Sequence, residues 1–303
     1  MQTPPPDLSP DTPSDTPELF EEPPRETPRE VEPPAKGPQD STWIYKLLLL
    51  LILVVGAYLR FRGVDWDEFQ YVHPDERFLG FVENDIQPVQ SLGEYFNTAT
   101  STLNPMNRGH DFFVYGTLPI FLLRYVMEWT GNSGYANFAA VGRPLSGFFD
   151  LMTVWVLYLI ASRLFNRKVG LLAAAFSAFA VLQIQLSHFF TVDIYANFFI
   201  WLSLYFAVVI AQSANPQTNQ PTNLQSLLAL PRHPAFLPSL LFGLFSGMAL
   251  ASKISAYPLV LMLPVAAGIY LLHQPAKMRV SSAIEMTALM ALGGAMFFLA
   301  FRV

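Results

Sequence analysis

Runs of apolar residues dominate this chain, and they are too long for a fold that faces water on all sides. Residues 43–61 (WIYKLLLLLILVVGAYLRF) set about twenty apolar-dominated positions in a row, enough for a helix to cross ~30 Å of hydrocarbon. Runs at 144–164, 169–187, 194–212, 235–252, 256–272 and 284–301 repeat the pattern, so about seven transmembrane helices are predicted. A long loop, 63–142, separates the first from the second. Inside it, residues 112–129 (FFVYGTLPIFLLRYVMEW) are apolar but include Pro119, Arg124 and Glu128, which predicts an interfacial amphipathic helix rather than a span. Gly243 and Gly247 (GLFSG) form a small-xxx-small pattern, the mark of close helix packing. The expected fold class is an all-α polytopic membrane protein.

Composition sharpens this picture. Of 303 residues, 52% are hydrophobic and only 14% charged, against roughly 25% charged in soluble domains. There are no cysteines, which excludes disulfide frameworks, thiolate zinc sites and cysteine nucleophiles. No phosphate-cradling glycine-rich loop is present, so a nucleotide-driven transporter finds no support. The net charge of −5 belongs to one segment: residues 1–42 hold ten acidic and three basic residues, leaving 13 acidic and 15 basic for the remainder. That Pro/Glu-rich segment has too little apolar content to offset chain entropy. A disordered cytoplasmic tail, 1–42, is therefore expected before a membrane domain, 43–303.

Orientation follows the basic residues of short loops. Arg163, Arg167 and Lys168 flank one turn, and Lys277 and Arg279 sit in another. Both turns are cytoplasmic if the N-terminus is. The flanks of the first helix disagree, since Arg60 and Arg62 would lie outside against Lys36 and Lys46 inside; the two later turns decide. Loop 63–142, Asp193 and Lys253 then share the extracytoplasmic side.

Ten of the 13 carboxylates beyond residue 42 lie between Asp65 and Glu128, densest around WDEFQYVHPDERF. A carboxylate pair at a membrane surface suits general-base catalysis, because partial desolvation and a like-charged neighbour raise its affinity for a proton. An Asp-Glu pair in a loop is more often merely solvated, and Asp67-Glu68 matches Asp75-Glu76 in composition. His73 is read as a hydrogen-bonded loop histidine before a metal ligand, and no metal set is assigned. Asp193, in SHFFTVDIYANFF at the outer end of a span, suits either function or a helix N-cap. Lys253 in ALASKISAYP is either a phosphate holder or a snorkelling side chain.

Taken in order, these segments resemble the GT-C membrane glycosyltransferases, and within them the family 39 type that includes protein O-mannosyltransferases and lipid A aminoarabinose transferases. DERFLGF is similar to that family's Asp-Glu pair followed by a glycine and an aromatic, and its spacing fits Asp75-Glu76 better than Asp67-Glu68. VYGTLPIFLLRYV resembles the juxtamembrane segment, VGRPLSGFFDLMTVWVLYLIASRLFNRKVGLLAAAFSAF the following helix pair, HFFTVDIYANFF the second acidic position, and LASKISAYPLVL the outer Ser/Thr-Lys turn. The likeness covers roughly residues 43–275. The chain stops after about seven helices where the family usually has more, as an N-terminal fragment would. The family's outer Pro-Pro turn is here Gly116-Thr117-Leu118-Pro119.

The resemblance implies an inverting transfer of a sugar from a polyprenyl-phosphate donor to a glycan, lipid or protein acceptor outside the cytoplasm. It implies Asp75 as general base, Glu76 orienting the acceptor or tuning Asp75, and Asp193 completing an acidic cleft. Arg77, Lys253 and His73 are the expected contacts to substrate and lipid phosphate. No cofactor is assigned and a divalent-ion requirement is left open. No nucleic-acid partner is expected; the chain would be a multi-pass protein of the plasma (inner) membrane if bacterial. The alternatives are a secondary transporter and a noncatalytic membrane assembly subunit.

Overall fold

The computed structural model describes residues 1, 3, 42–214 and 230–301. The tail expected over 1–42 and much of the polar loop 213–234 lie outside the described residues. Every apolar run is helical. The helices are α1 (Thr42–Phe61), α2 (Pro74–Asp85), α3 (Leu92–Phe96), α4 (Leu118–Thr130), α5 (Phe138–Leu164) and α6 (Arg167–Ala178), followed by α7 (Val181–Ser187), α8 (Val192–Ala211), α9 (Phe236–Ser252), α10 (Met262–Leu272) and α11 (Arg279–Phe301). Among the described residues there is no strand.

Among the described residues, five helical stretches are long and apolar enough to cross a membrane: 42–61, 135–164, 192–211, 254–272 and 276–301. The expected span at 169–187 is two helices, α6 and α7, bent by 57° at a break; counted as one, it makes six. α9 has only 17 residues, about 25 Å at 1.5 Å per residue, which is why the count falls short of seven. α4, at 13 residues, is likewise too short to span, as expected of an interfacial helix. In α1 only Gly56 and Arg60 are buried; its leucines Leu47, Leu50 and Leu51 are exposed, as for a helix bathed in hydrocarbon.

α1 packs on α5 and α6, α5 on α8, α8 on α9 and α9 on α11. The α9–α11 seam uses the small-residue pattern: a Cβ on Gly243 would lie 1.9 Å from the Gly293 carbonyl oxygen, so only glycine lets these backbones meet. The largest apolar core joins the loop elements to the bundle. Leu79, Val82 and Ile86 of α2 meet Ile120, Leu123 and Met127 of α4, with Phe138 of α5 and Val192, Ile194 and Tyr195 of α8. It fixes the long loop onto one end of the helices.

The break between α6 and α7 has no proline or glycine. Its cause lies in α1. Arg60 is fully buried and donates to the carbonyls of Ala178 (3.0 Å) and Ser177 (3.3 Å) at the end of α6, and to Asp150 Oδ2 at 2.6 Å. Such carbonyls need partners, above all where water is absent. Arg60 was expected at the membrane edge; it is instead an internal strut whose charge Asp150 neutralises, so it does not count as a loop charge in the orientation rule.

Candidate functional site

α2 starts where the sequence says it should. His73 is the N-cap, with Nδ1 accepting from the Glu76 N–H at 3.4 Å, and Pro74 opens the first turn. Asp75 and Glu76 then sit where the helix dipole favours negative charge. Successive helical residues are 100° apart, so Asp75, Glu76 and Arg77 face three different surroundings.

Glu76 faces inward and is fully buried. Its two oxygens receive Arg143 Nε (2.9 Å) and Nη2 (2.8 Å), and Oε1 also accepts the Phe190 N–H at 2.9 Å. Arg143 completes its set with Asp67 Oδ1 (2.7 Å), Asp67 Oδ2 (2.9 Å) and the Val64 carbonyl (2.7 Å), so all five of its N–H donors are used. The guanidinium also lies 5.8 Å from the ring centres of Trp66 and Phe69. This one side chain ties α5 to the loop before α2 and to α2 itself, and Glu76 extends the tie to the turn before α8.

Asp67 has a second task. Its carboxylate accepts from the N–H groups of Phe69 (3.1 Å) and Val72 (3.3 Å), and between them Glu68, Phe69 and Tyr71 adopt positive φ of 53°, 57° and 53°. Non-glycine residues in that region cost about 1–3 kcal/mol each and persist only where their surroundings over-determine them. Asp67 and Arg143 supply that determination. The Arg143 hydrogen bonds hold the Asp67 carboxyl below its ordinary pKa, against the opposing effect of burial.

Asp75 is half-buried and belongs to another group. The Tyr115 hydroxyl is hydrogen-bonded to it, and the tyrosine is pushed up to about 12, first by burial, then by that bond and the charge of Asp75, and last by the charge of Asp193. Tyr115 is placed by its neighbour. Gly116 donates its N–H to the Ser252 carbonyl at 3.2 Å, and a Cβ there would lie 2.1 Å from the Ala251 oxygen and 2.4 Å from that of Ser252. One residue on, Lys253 leaves α9 with extended backbone (φ −153°, ψ 117°) and its ammonium pairs with Asp193 Oδ1. Both partners are 44% exposed. Thr191, not Asp193, is the N-cap of α8; Asp193 stands in the first turn, again at the favourable end of the dipole.

Of the six residues singled out from the sequence, Asp193 and Lys253 are paired with each other, and Asp75 is linked to them through Tyr115, which bonds Asp75 and feels the charge of Asp193. The other three are not so linked. Glu76 is enclosed and cannot touch a substrate. Arg77 stands about 200° round α2 from Asp75, where Nε donates to the Tyr71 carbonyl at 3.0 Å. His73 caps the helix and rests on Phe189, ring centres 4.6 Å apart. Sequence reasoning missed Tyr115, Gly116 and Arg143. The departure from a Pro-Pro turn at Gly116 was a signal for the first two; for Arg143, the signal was an arginine opening a span in VGRPLSG.

Residues 134–220 match the sequence model of the family described as dolichyl-phosphate-mannose-protein mannosyltransferase. The match covers less than a third of the 303 residues and includes Arg143, Asp150 and Asp193 but not Asp75, Tyr115 or Lys253. A comparison with curated proteins finds no match. Among the described residues five to six helices are long and apolar enough to cross a membrane, and the segment 134–220 is similar to that mannosyltransferase family.

Proposed function

We propose that the chain transfers a sugar from a polyprenyl-phosphate donor to an acceptor hydroxyl on the extracytoplasmic side, with inversion. Asp75 is the general base. It takes the proton of the acceptor hydroxyl as that oxygen attacks the anomeric carbon and the carbon–phosphate oxygen bond breaks. Tyr115 orients the Asp75 carboxylate. Lys253 receives the negative charge that develops on the departing lipid phosphate, for which a placed cation is the natural partner. Asp193 positions Lys253. Glu76, given to the acceptor on sequence grounds, becomes a positioning residue: through Arg143 it anchors the helix turn that presents Asp75.

The observation that supports this best is that one tyrosine, Tyr115, is hydrogen-bonded to the half-buried Asp75 and feels the charge of Asp193, which in turn pairs with Lys253. The cation ends an apolar helix, α9, and the base opens α2 in the loop packed against the bundle, a setting where a lipid-linked donor and a polar acceptor can meet. A coupling-ion transporter would need a free acid within the bilayer, whereas Asp150 is paired with Arg60 and Glu285 stands against His233.

The test is transfer from a polyprenyl-phosphate sugar in reconstituted vesicles. Asp75→Asn is expected to lower turnover roughly 10²–10⁴-fold, the usual worth of a positioned general base, with the protein still folded. Unchanged turnover contradicts the assignment. Sidedness is checked on the cysteine-free background with single cysteines. Positions 75 and 193 are expected to label from one side and 168 from the other.

A further inference from the structure

Beside the Asp193–Lys253 pair lies a cavity of about 420 Å³, walled by α5, α7, α8 and the turn after α9. Its volume is within the roughly 300–1,000 Å³ range of small-molecule sites. Most of the wall is apolar, from Leu182, Leu186, Ile194 and Ile200, but polar groups enter from three helices: Asp150, Gln183 and Asn197. Asp150 is 1% exposed. Arg60 occupies its Oδ2, and Oδ1 is buried without a hydrogen-bond partner. An orphaned carboxylate oxygen at this depth is costly, and Asp150 lines the open space.

Asn197 stands one helical turn beyond Asp193 on the same face of α8. It is half-buried in a predominantly apolar helix. Gln183 engages Ser177 through Oε1 at 2.8 Å, which leaves its amide NH₂ to meet a ligand. The charges cancel: Asp150 is paired with Arg60 and Asp193 with Lys253. A metal ion or ammonium would therefore gain little here. A neutral molecule with several hydroxyls finds an acceptor in Asp150 Oδ1 and both donors and acceptors in the two amides.

We propose that this cavity seats the sugar ring of the lipid-linked donor, with ring hydroxyls bonded to Asp150 Oδ1, Asn197 and the Gln183 amide. This rests on the glycosyl-transfer reading above and adds the residues that recognise the sugar. The apolar wall meets the ring's C–H face. Lys253, at the rim, holds the phosphate to which the ring is attached. The buried Arg60–Asp150 pair, besides ending α6, keeps Asp150 aimed at the ring.

The experiment is equilibrium binding of polyprenyl-phosphate mannose and of sugar-free polyprenyl phosphate to the full chain in lipid nanodiscs. Replacing Asp150 would strand Arg60, so the variants are Asn197→Leu, which deletes polar contacts, and Ala256→Phe, which fills the cavity. Wild type is expected to prefer the sugar-bearing lipid by about tenfold or more, the worth of one or two hydrogen bonds. In both variants that preference falls toward unity while sugar-free lipid binds as before. No preference in wild type, or a preference retained in both variants, overturns the proposal. Wild type that binds with preference yet transfers no sugar removes the catalytic reading and leaves the pocket. Normal transfer with preference intact in both variants removes the pocket alone.

Discussion

Two acidic pairs, Asp67-Glu68 and Asp75-Glu76, stand eight residues apart with the same composition and opposite surroundings. Asp67 and Glu76, one from each pair, are enclosed and share one arginine whose donors are all used. Asp75 is half-buried and bonded to the hydroxyl of Tyr115, which also feels the charge of Asp193; Asp193 and its partner Lys253 are each 44% exposed. A saturated, buried cluster has no capacity left for a substrate, and its worth is structural. A partly open cluster that keeps lone pairs and a cation available can do chemistry. Helix geometry makes the division: a shift of one residue along α2 turns a side chain by 100°, from the interior to the cleft.

Several substitutions test that contrast. The largest effect is expected from Asp75→Asn, which removes a base and no buried partner: transfer falls by roughly 10²–10⁴-fold and thermal stability is unchanged. Glu76→Gln should do the reverse. Breaking a buried pair on one side costs about 3–5 kcal/mol, so the melting temperature drops markedly, and activity follows the folded fraction. A stable Glu76→Gln protein with no activity would erase the distinction. Gly116→Ala forces a methyl against the carbonyls of Ala251 and Ser252, an overpacking cost of about 1–3 kcal/mol. It is expected to lower transfer through displaced Tyr115 while leaving the Arg143 cluster intact, as judged by unchanged protease resistance of the 63–75 segment.

The smallest effect concerns pH. Asp67 has its folded pKa depressed by Arg143, so its contribution is present above the unfolded value of ~3.9 and lost as pH falls through the lower folded value. Asp67→Asn should therefore flatten the acid limb of a stability-against-pH curve. Tyr115, pushed up to about 12, stays protonated across the working range and should add no inflection to the activity profile below pH 10.

Much of the fold was legible as local pattern. Apolar runs located the helices, Pro119 and the charges of 112–129 marked a helix too short to span, and His73-Pro74 marked the start of α2. What escaped depends on contacts distant in sequence. Nothing in AFAV at the α6–α7 break signals a bend, because the group that ends α6 is Arg60, more than a hundred residues earlier. Likewise Glu76 reads like a second catalytic acid until Arg143, 67 residues on, claims it. Candidate residues were found by type and placement, but burial separated positioning residues from those open to substrate. The match over 134–220 agrees with the resemblance read from the same helices.

The central claim is that Asp75 acts on the substrate while Asp67 and Glu76 only hold it in place. It is tested most directly by measuring transfer rate per folded molecule for Asp75→Asn and Asp67→Asn in the same vesicles. The prediction is a loss of at least about 10²-fold for Asp75→Asn and a rate close to wild type for the folded fraction of Asp67→Asn. Loss in Asp67→Asn with Asp75→Asn active would contradict it and exchange the roles of the two pairs.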